Sequence, residues 1–369
     1  MPPRVWLLLG HKAGDNAQVL ALAEALGWPY HIRRLVYRKT ELLSNLLLGP
    51  TLAGIQKKRS SPLTAPWPDL ILTAGRRNEP VAHWIQAHNT KTTRIVHLGR
   101  PWARPERFDL IITTPQYQLP AAPNVLCNSL PLHGISTARL QQAAATWQTR
   151  LSHLPHPRLA LLVGGNSGPY VLNRKNAAQL GREANRMAAA VGGSLLITSS
   201  ARTPAAAFAV LHQSIQVPAF VYQWQSEQGD NPYTAYLALA DAFIVTGESV
   251  SMLTEACMTL KPVYIYDLLH HHPSTLKPES RHAATRRPWW LRLENYRWKP
   301  LSHRLAMHLG PRRMRRDVSI MHRHLIATGR AAWLGTNYPV AQPVAALNDL
   351  ERSLTRIRAL FPGDQSAPP

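Results

Sequence analysis

Two cysteines in 369 residues, Cys127 and Cys257, are too few for a disulfide framework. Both stand in apolar surroundings and read as buried free thiols in a reducing compartment. Long apolar runs are missing as well. None approaches the roughly 18 to 20 residues that span a bilayer. The run Val5–Leu9 is too short for the core of a signal peptide, so neither a membrane span nor an export signal is expected. No repeat of solenoid length recurs. The polar loops considered below hold no His-Glu-x-x-His, Walker A or Gly-x-Ser-x-Gly arrangement, which removes the chemistries those motifs carry. Acidic residues are scarce: 20 Asp and Glu stand against 42 Lys and Arg, a net charge of +22.

That imbalance favours anionic partners, namely nucleic acid, anionic lipid surfaces or phosphorylated substrates. A genome that prefers arginine would give the same composition. The excess is uneven. Residues 277–330 hold fourteen Lys or Arg against Glu279, Glu294 and Asp317, which is +11, half of the whole. Trp289, Trp290 and Trp298 are interleaved there, and indoles favour interfaces, so this segment is expected to dock on anionic membrane. Nucleic acid is not expected, because the charge comes without a recognisable binding motif.

With 45% hydrophobic and 17% charged residues the chain is globular and long enough for two domains. Short apolar runs alternate with helical spacing, which argues α/β domains with parallel sheets. In the first domain, strands are expected at residues 4–10, 32–36, 69–73, 94–98, 109–113 and 124–126. Helices are expected from about Ala17 to Gly27, over residues 41–48, and after Pro80. Residues 57–62 read as an exposed basic connection. In the second, strands are expected at 159–163, 194–198, 219–222, 242–246 and 263–266. Helices are expected at 175–190, after Pro204, from Tyr233 to Ala240, and from Ser249 or Ser251 to Leu260. A last helix is expected over 345–360. The division is an N-terminal domain of residues 1–137, a linker of 138–157 that is helical over 138–151, a second domain of 158–335 and a C-terminal helix and frayed tail of 336–369.

In open α/β sheets, ligands bind beyond the carboxyl ends of the strands. Every polar loop of interest follows a strand. The stretch Thr246-Gly247-Glu248-Ser249-Val250-Ser251 is a tight polar turn into a helix, a ready anion site. Glu255 lies one helical turn beyond Ser251, where a carboxylate can accept from a vicinal diol, or stand on a solvated face. Gly164, Gly165 and Asn166 would let backbone approach a diphosphate, or simply form a tight turn. Ser199, Arg202 and Thr203 offer hydroxyls and a guanidinium suited to phosphate. In the first domain Lys12, Asp15 and Asn16 share one loop. Asp15 is either a general base or the cap of the following helix. Arg76 and Arg77 hold an anionic acceptor or are a solvated pair. His270, His271 and His272 are consecutive and read as an exposed loop, with no metal site expected.

The combination resembles a known family. Lys12-Ala13-Gly14-Asp15-Asn16-Ala17-Gln18, Gly75-Arg76-Arg77, Gly164-Gly165-Asn166-Ser167, the residues 199–203, Asn231-Pro232-Tyr233 and the run from Val245 to Met252 with Glu255-Ala256 together resemble the mitochondrial-fission Elongated Mitochondria family. Its members more often carry Asp where Glu248 stands. The second domain is more distantly similar to that of nucleotide-sugar glycosyltransferases acting on lipid-linked acceptors. The resemblance implies two Rossmann-like domains facing each other across a cleft, the GT-B arrangement. It implies a nucleotide-sugar donor on the second domain and a lipid-linked or envelope glycan acceptor on the first. The donor would be held by Gly164, Gly165, Asn166, Ser199, Arg202, Thr203, Ser249, Ser251 and Glu255, with Asn231 and Tyr233 near the base. The acceptor would be held by Lys12, Asn16, Arg76 and Arg77, with Asp15 as base. No cofactor or bound metal is implied, and the enzyme would sit in the cytoplasm, peripheral to the membrane. The alternative is a non-catalytic adaptor at a membrane, the role the family name suggests.

Overall fold

The computed structural model describes residues 2–38, 49–168, 170–225, 230–268, 316–336 and 347–362. The expected helix at 41–48, the three consecutive histidines and most of the basic segment (residues 277–315) lie outside them.

The described residues form two compact units. One runs to Gly134 and takes in Arg316 and the C-terminal residues 347–362; the other runs from Ile135 and takes in 317–336. Each is built on a six-stranded sheet in which every pairing is parallel. Each is a Rossmann-like domain.

The first sheet has the order β2-β1-β3-β4-β5-β6, with β1 Val5–Leu9, β2 Tyr30–Arg34, β3 Leu70–Ala74, β4 Arg94–Leu98, β5 Leu110–Thr113 and β6 Val125–Cys127. Successive side chains of a strand face opposite ways. In β1, Val5, Leu7 and Leu9 pack into one core with Val19, Leu22 and Leu26 of α1 (Ala13–Leu26). Trp6 and Leu8 pack into the other with Val81, Ala82 and Ile85 of α2 (Glu79–His88). Both faces are covered, so β1 reads as an unbroken apolar run. The edge strand β2 has the sequence YHIRR and lies two residues earlier than its apolar residues suggest.

Helix α1 also starts earlier than expected. Lys12 is its N-cap and makes no side-chain cap bond, so Asp15 and Asn16 stand in the first turn instead of a loop. It stops at Gly27, which takes the left-handed conformation that favours glycine.

Residues 138–151, expected to be helical, form α3 (Thr137–Leu151), which belongs to the second unit. Its Trp147 and Leu151 are buried, and Trp147 meets Phe220 edge-on at 5.9 Å between ring centroids.

The second sheet has the order β12-β11-β10-β7-β8-β9, with β7 Arg158–Leu162, β8 Ser194–Thr198, β9 Ala219–Tyr222, β10 Ala242–Thr246, β11 Val263–Tyr266 and β12 Ala332–Trp333. Its helices are α4 (Arg174–Ala190), α5 (Ala205–Gln213), α6 (Tyr233–Leu239), α7 (Val250–Cys257) and α8 (Val318–Ala327). The last helix, α9 (Asp349–Arg358), packs on the first unit. Leu354 and Ile357 enter the core beside α1, and the Asp349 carboxylate accepts from the Ser129 and Leu130 N–H groups at 3.0 Å each. The thiols differ: Cys257 is buried as expected, but Cys127, at the end of β6, is exposed.

Among the described residues no helix is long and apolar enough to cross a membrane.

Candidate functional site

In each sheet the chain order reverses once. In the first the reversal lies between β1 and β3, and in the second between β7 and β10. Such switch points open a crevice beyond the strand ends, because the following connections depart to opposite sides. The candidate residues gather at these two places.

In the second unit the turns after β7, β8 and β10 interlock. Gly165 bridges Arg202 in a parallel pairing, and the Asn166 N–H donates to the Arg202 carbonyl at 3.0 Å. Gly165 has φ +111, and a side chain on it would run into the Arg202–Thr203 backbone. The Thr203 hydroxyl bonds the Val163 and Gly164 carbonyls at 3.0 and 3.1 Å, and Ser200 Oγ bonds Gly164 O as well. Ser199 Oγ accepts from the Trp224 N–H at 2.8 Å, and Asn166 Oδ1 accepts from the Leu172 N–H at 2.9 Å. The polar atoms of Asn166, Ser199 and Thr203 therefore shape the turns.

Other polar groups of these turns lie at and along α7. Ser249 is the N-cap of α7 and makes no side-chain cap bond; Arg202 Nη2 reaches its Oγ at 3.4 Å. Ser251 stands in the first turn, where peptide N–H groups have no partner within the helix. One turn deeper, the Tyr233 hydroxyl donates to Glu255 Oε2. Burial pushes the Glu255 carboxyl up, against the Tyr233 hydrogen bond and the charge of Arg139. The Tyr233 hydroxyl is pushed well above its usual value, by burial first and by Glu255 second. Asn231 is exposed, and its Oδ1 accepts from the Tyr233 N–H at 3.0 Å, so its side chain fixes the start of α6.

Two residues of this unit were not singled out as site residues. His322 of α8 is buried, and its Nε2 stands 2.6 Å from the Gly247 carbonyl, backing the turn after β10. Nothing near it in sequence marks it. Glu248 is fully buried, and burial raises its carboxyl from the ordinary 4.5 to about 7, with Arg202 acting in the other direction. A group whose folded pKa is raised stabilises the fold while protonated. That contribution is lost as pH rises from its unfolded value toward 7. Glu248→Gln removes the ionisable group in the same shape. The variant is expected to gain on the order of 3 kcal/mol over the wild type between about pH 4.5 and pH 8, read by urea unfolding across that range. A gap that stays constant with pH would show that Glu248 does not hold its proton.

In the first unit the turn after β1 meets the turn after β3. Gly75 has φ +78, and a side chain there would come within 2.9 Å of Asp15 Oδ2, so the carboxylate lies over the glycine. Lys12 Nζ stands 3.4 Å from the same oxygen. Asn16 is spent on the fold: it accepts from the Gly10 N–H at 3.0 Å and donates to the Gly10 carbonyl at 2.8 Å. The two arginines part company. Arg77 reaches the His11 ring at 3.4 Å and lies over Tyr37, while Arg76 stacks 4.3 Å above Trp102. The His11 imidazole is held below its usual value by burial, then by the charges of Arg77 and Lys12. Beneath them the buried Glu79 accepts from the Trp102 and Ala103 N–H groups at 2.9 and 2.8 Å; burial raises its carboxyl to about 7. Glu79 thus anchors the loop on which Arg76 rests, a role with no signature in the sequence.

Among the described residues no group of three His, Cys, Asp or Glu side chains is placed to hold a metal ion.

A sequence profile of the family described as Mitochondrial fission ELM1 matches residues 13–293. A protein of Arabidopsis thaliana named Mitochondrial fission protein ELM1 is 29% identical over 225 residues, which cover 55% of this chain. The match spans about half of that relative, 52% of its length. Among solved structures, a glycosyl transferase of family 9 from Veillonella parvula aligns with a TM-score of 0.40 and 12% identity, over 73% of this chain and 82% of the other. A UDP-GlcNAc 2-epimerase from Neisseria meningitidis, bound to UDP-GlcNAc, aligns with a TM-score of 0.48 and 10% identity, over 96% and 100%.

Proposed function

The chain belongs to the mitochondrial fission ELM1 family, and from that premise and the turns of the second sheet we propose that it binds a nucleotide sugar and transfers the sugar without a metal. One observation carries this reading: a helix N-terminus without a side-chain cap and the Arg202 guanidinium meet at a switch point, with a half-buried carboxylate one helical turn beyond. The N-terminus and Arg202 suit a diphosphate, since peptide N–H groups and a guanidinium both donate to anionic oxygen. Glu255 suits the ribose diol, because Tyr233 orients its carboxylate through one oxygen and leaves the other to a hydroxyl.

On the first unit, Lys12, Arg76 and Arg77 attract an anionic acceptor carried on a lipid, and Asp15 takes the proton from its hydroxyl. The leaving diphosphate is stabilised by the helix N-terminus and Arg202, which replaces the work of a bound cation. Turnover is therefore expected to survive EDTA; loss of activity restored by a divalent ion would contradict it.

A panel of nucleotides and nucleotide sugars in a thermal-shift assay tests the reading, because a ligand of the native state raises the melting point by mass action. Nucleoside diphosphates and their sugar esters are expected to raise it, and adenosine and free sugars not. The second reading, a non-catalytic adaptor, has the family's description in its favour. It predicts no shift with any nucleotide.

A further inference from the structure

The turn after β10 holds a group that phosphate binding leaves unexplained. Glu248 is fully buried at the switch point of the second sheet, beneath the turn that leads into α7. Its Oε1 bonds the Thr246 hydroxyl at 3.1 Å, and that hydroxyl oxygen accepts the Gly164 N–H at 2.8 Å. A side chain on Gly164 would collide with the carboxyl, so the glycine makes room for Glu248 and lets the turns after β7 and β10 close on it. The N–H groups of Gly165 and of Glu248 itself face the carboxyl. Its Oε2 finds no partner at hydrogen-bond geometry among the described residues.

A carboxyl in this place is a liability for an anion site. Ionised, it sets a buried negative charge under the turn where the diphosphate is to lie, in surroundings that screen charge poorly. Protonated, it is neutral. We propose that Glu248 links ligand binding at this turn to a proton: the neutral carboxyl admits a diphosphate, and the carboxylate turns it away. This rests on the nucleotide-sugar reading given above and adds to it a dependence on pH.

The groups that face Glu248 or its turn fix the direction of the effect. Burial holds the carboxyl near 7 against the opposing charge of Arg202, on the turn after β8. From the turn after β7, Gly164 and Gly165 stand against the carboxyl, neither titratable. From α8, His322 holds the Gly247 carbonyl; burial keeps its imidazole below its usual value, with Asp267 and Asp317 acting the other way. Glu255, deeper on α7, works oppositely, since a carboxylate that accepts from a diol favours proton release on binding. Proton uptake that accompanies binding above pH 7 thus belongs to Glu248.

The test is calorimetric titration with UDP-N-acetylglucosamine, whose diphosphate is a diester and keeps its charge from about pH 6 to pH 8.5. Two buffers of different ionisation enthalpy count the protons exchanged. In the wild type the affinity is expected to fall about tenfold between pH 7 and pH 8.5, with uptake approaching one proton per ligand at the upper end. Glu248→Gln is expected to bind equally at both ends and to take up no proton. A flat wild-type profile, or a Gln variant that keeps the wild-type slope, overturns the proposal while the nucleotide site stands. Absence of binding at every pH overturns the nucleotide reading and this inference with it. Should the variant fail to fold, the proton count on the wild type decides alone.

Discussion

Asp15→Asn is expected to lower sugar transfer by roughly a hundred- to ten-thousandfold, the range a positioned general base contributes. Nucleotide affinity should be unchanged, because Asp15 belongs to the first unit and the donor is assigned to the second. The geometry sets the terms. Asp15 stands in the first turn of α1, its carboxylate over Gly75 and 3.4 Å from Lys12 Nζ. Asparagine keeps the shape and the place in the helix and loses the ability to take a proton. Folding should survive, since the structural bonds of this turn are made by the neighbouring Asn16 to Gly10. Turnover of a labelled nucleotide sugar, with a lipid extract supplying the acceptor, reads the effect. A variant as fast as the wild type would make Asp15 an ordinary acidic residue near a helix N-terminus, where negative charge is favoured in any case.

Glu255→Ala is expected to weaken nucleotide binding by roughly ten- to a hundredfold, as the loss of a charge-assisted hydrogen bond of about 1.5 to 3 kcal/mol implies. Two things are lost together, the carboxylate and the partner of the buried Tyr233 hydroxyl. Tyr233→Phe separates them. It keeps the carboxylate, removes its orienting donor, and should weaken binding by less than the Ala variant does. Glu255→Gln should also be milder, because an amide oxygen still accepts from a hydroxyl. Calorimetry with one nucleoside diphosphate across the three variants gives the order. Equal affinities in Glu255→Ala and the wild type would move the ribose elsewhere.

Much of the fold was readable because burial makes strands conspicuous. β1, β7 and β8 are buried along their whole length, and β10 nearly so, and their apolar runs lie within a residue of the strands themselves. β2, at an edge and half exposed, begins two residues before the apolar run that marks it. The two-residue β12 carries no pattern at all and follows a basic stretch. α1 begins a turn before its pattern shows, because Lys12 is no capping residue and Gly14 no helix former.

The site was legible only in outline. Loops after strands pointed to the right edge of each sheet, but a polar residue in a loop is as ready to bond its neighbours as a ligand. Asn16, Asn166, Ser199 and Thr203 turned out to hold backbone. Gly164 suggested a close approach by phosphate, yet what lies against it is the Glu248 carboxyl. Glu79 and His322 act through distant backbone groups, which no local pattern reveals.

The most direct measurement is hydrogen exchange of the intact protein with and without a saturating nucleotide sugar. The account predicts slowed exchange at residues 164–168, 199–203 and 247–252, with peptides from the opposite, amino ends of β7, β8 and β10 unchanged. Bound nucleotide that protects other segments and leaves these three turns untouched would contradict it.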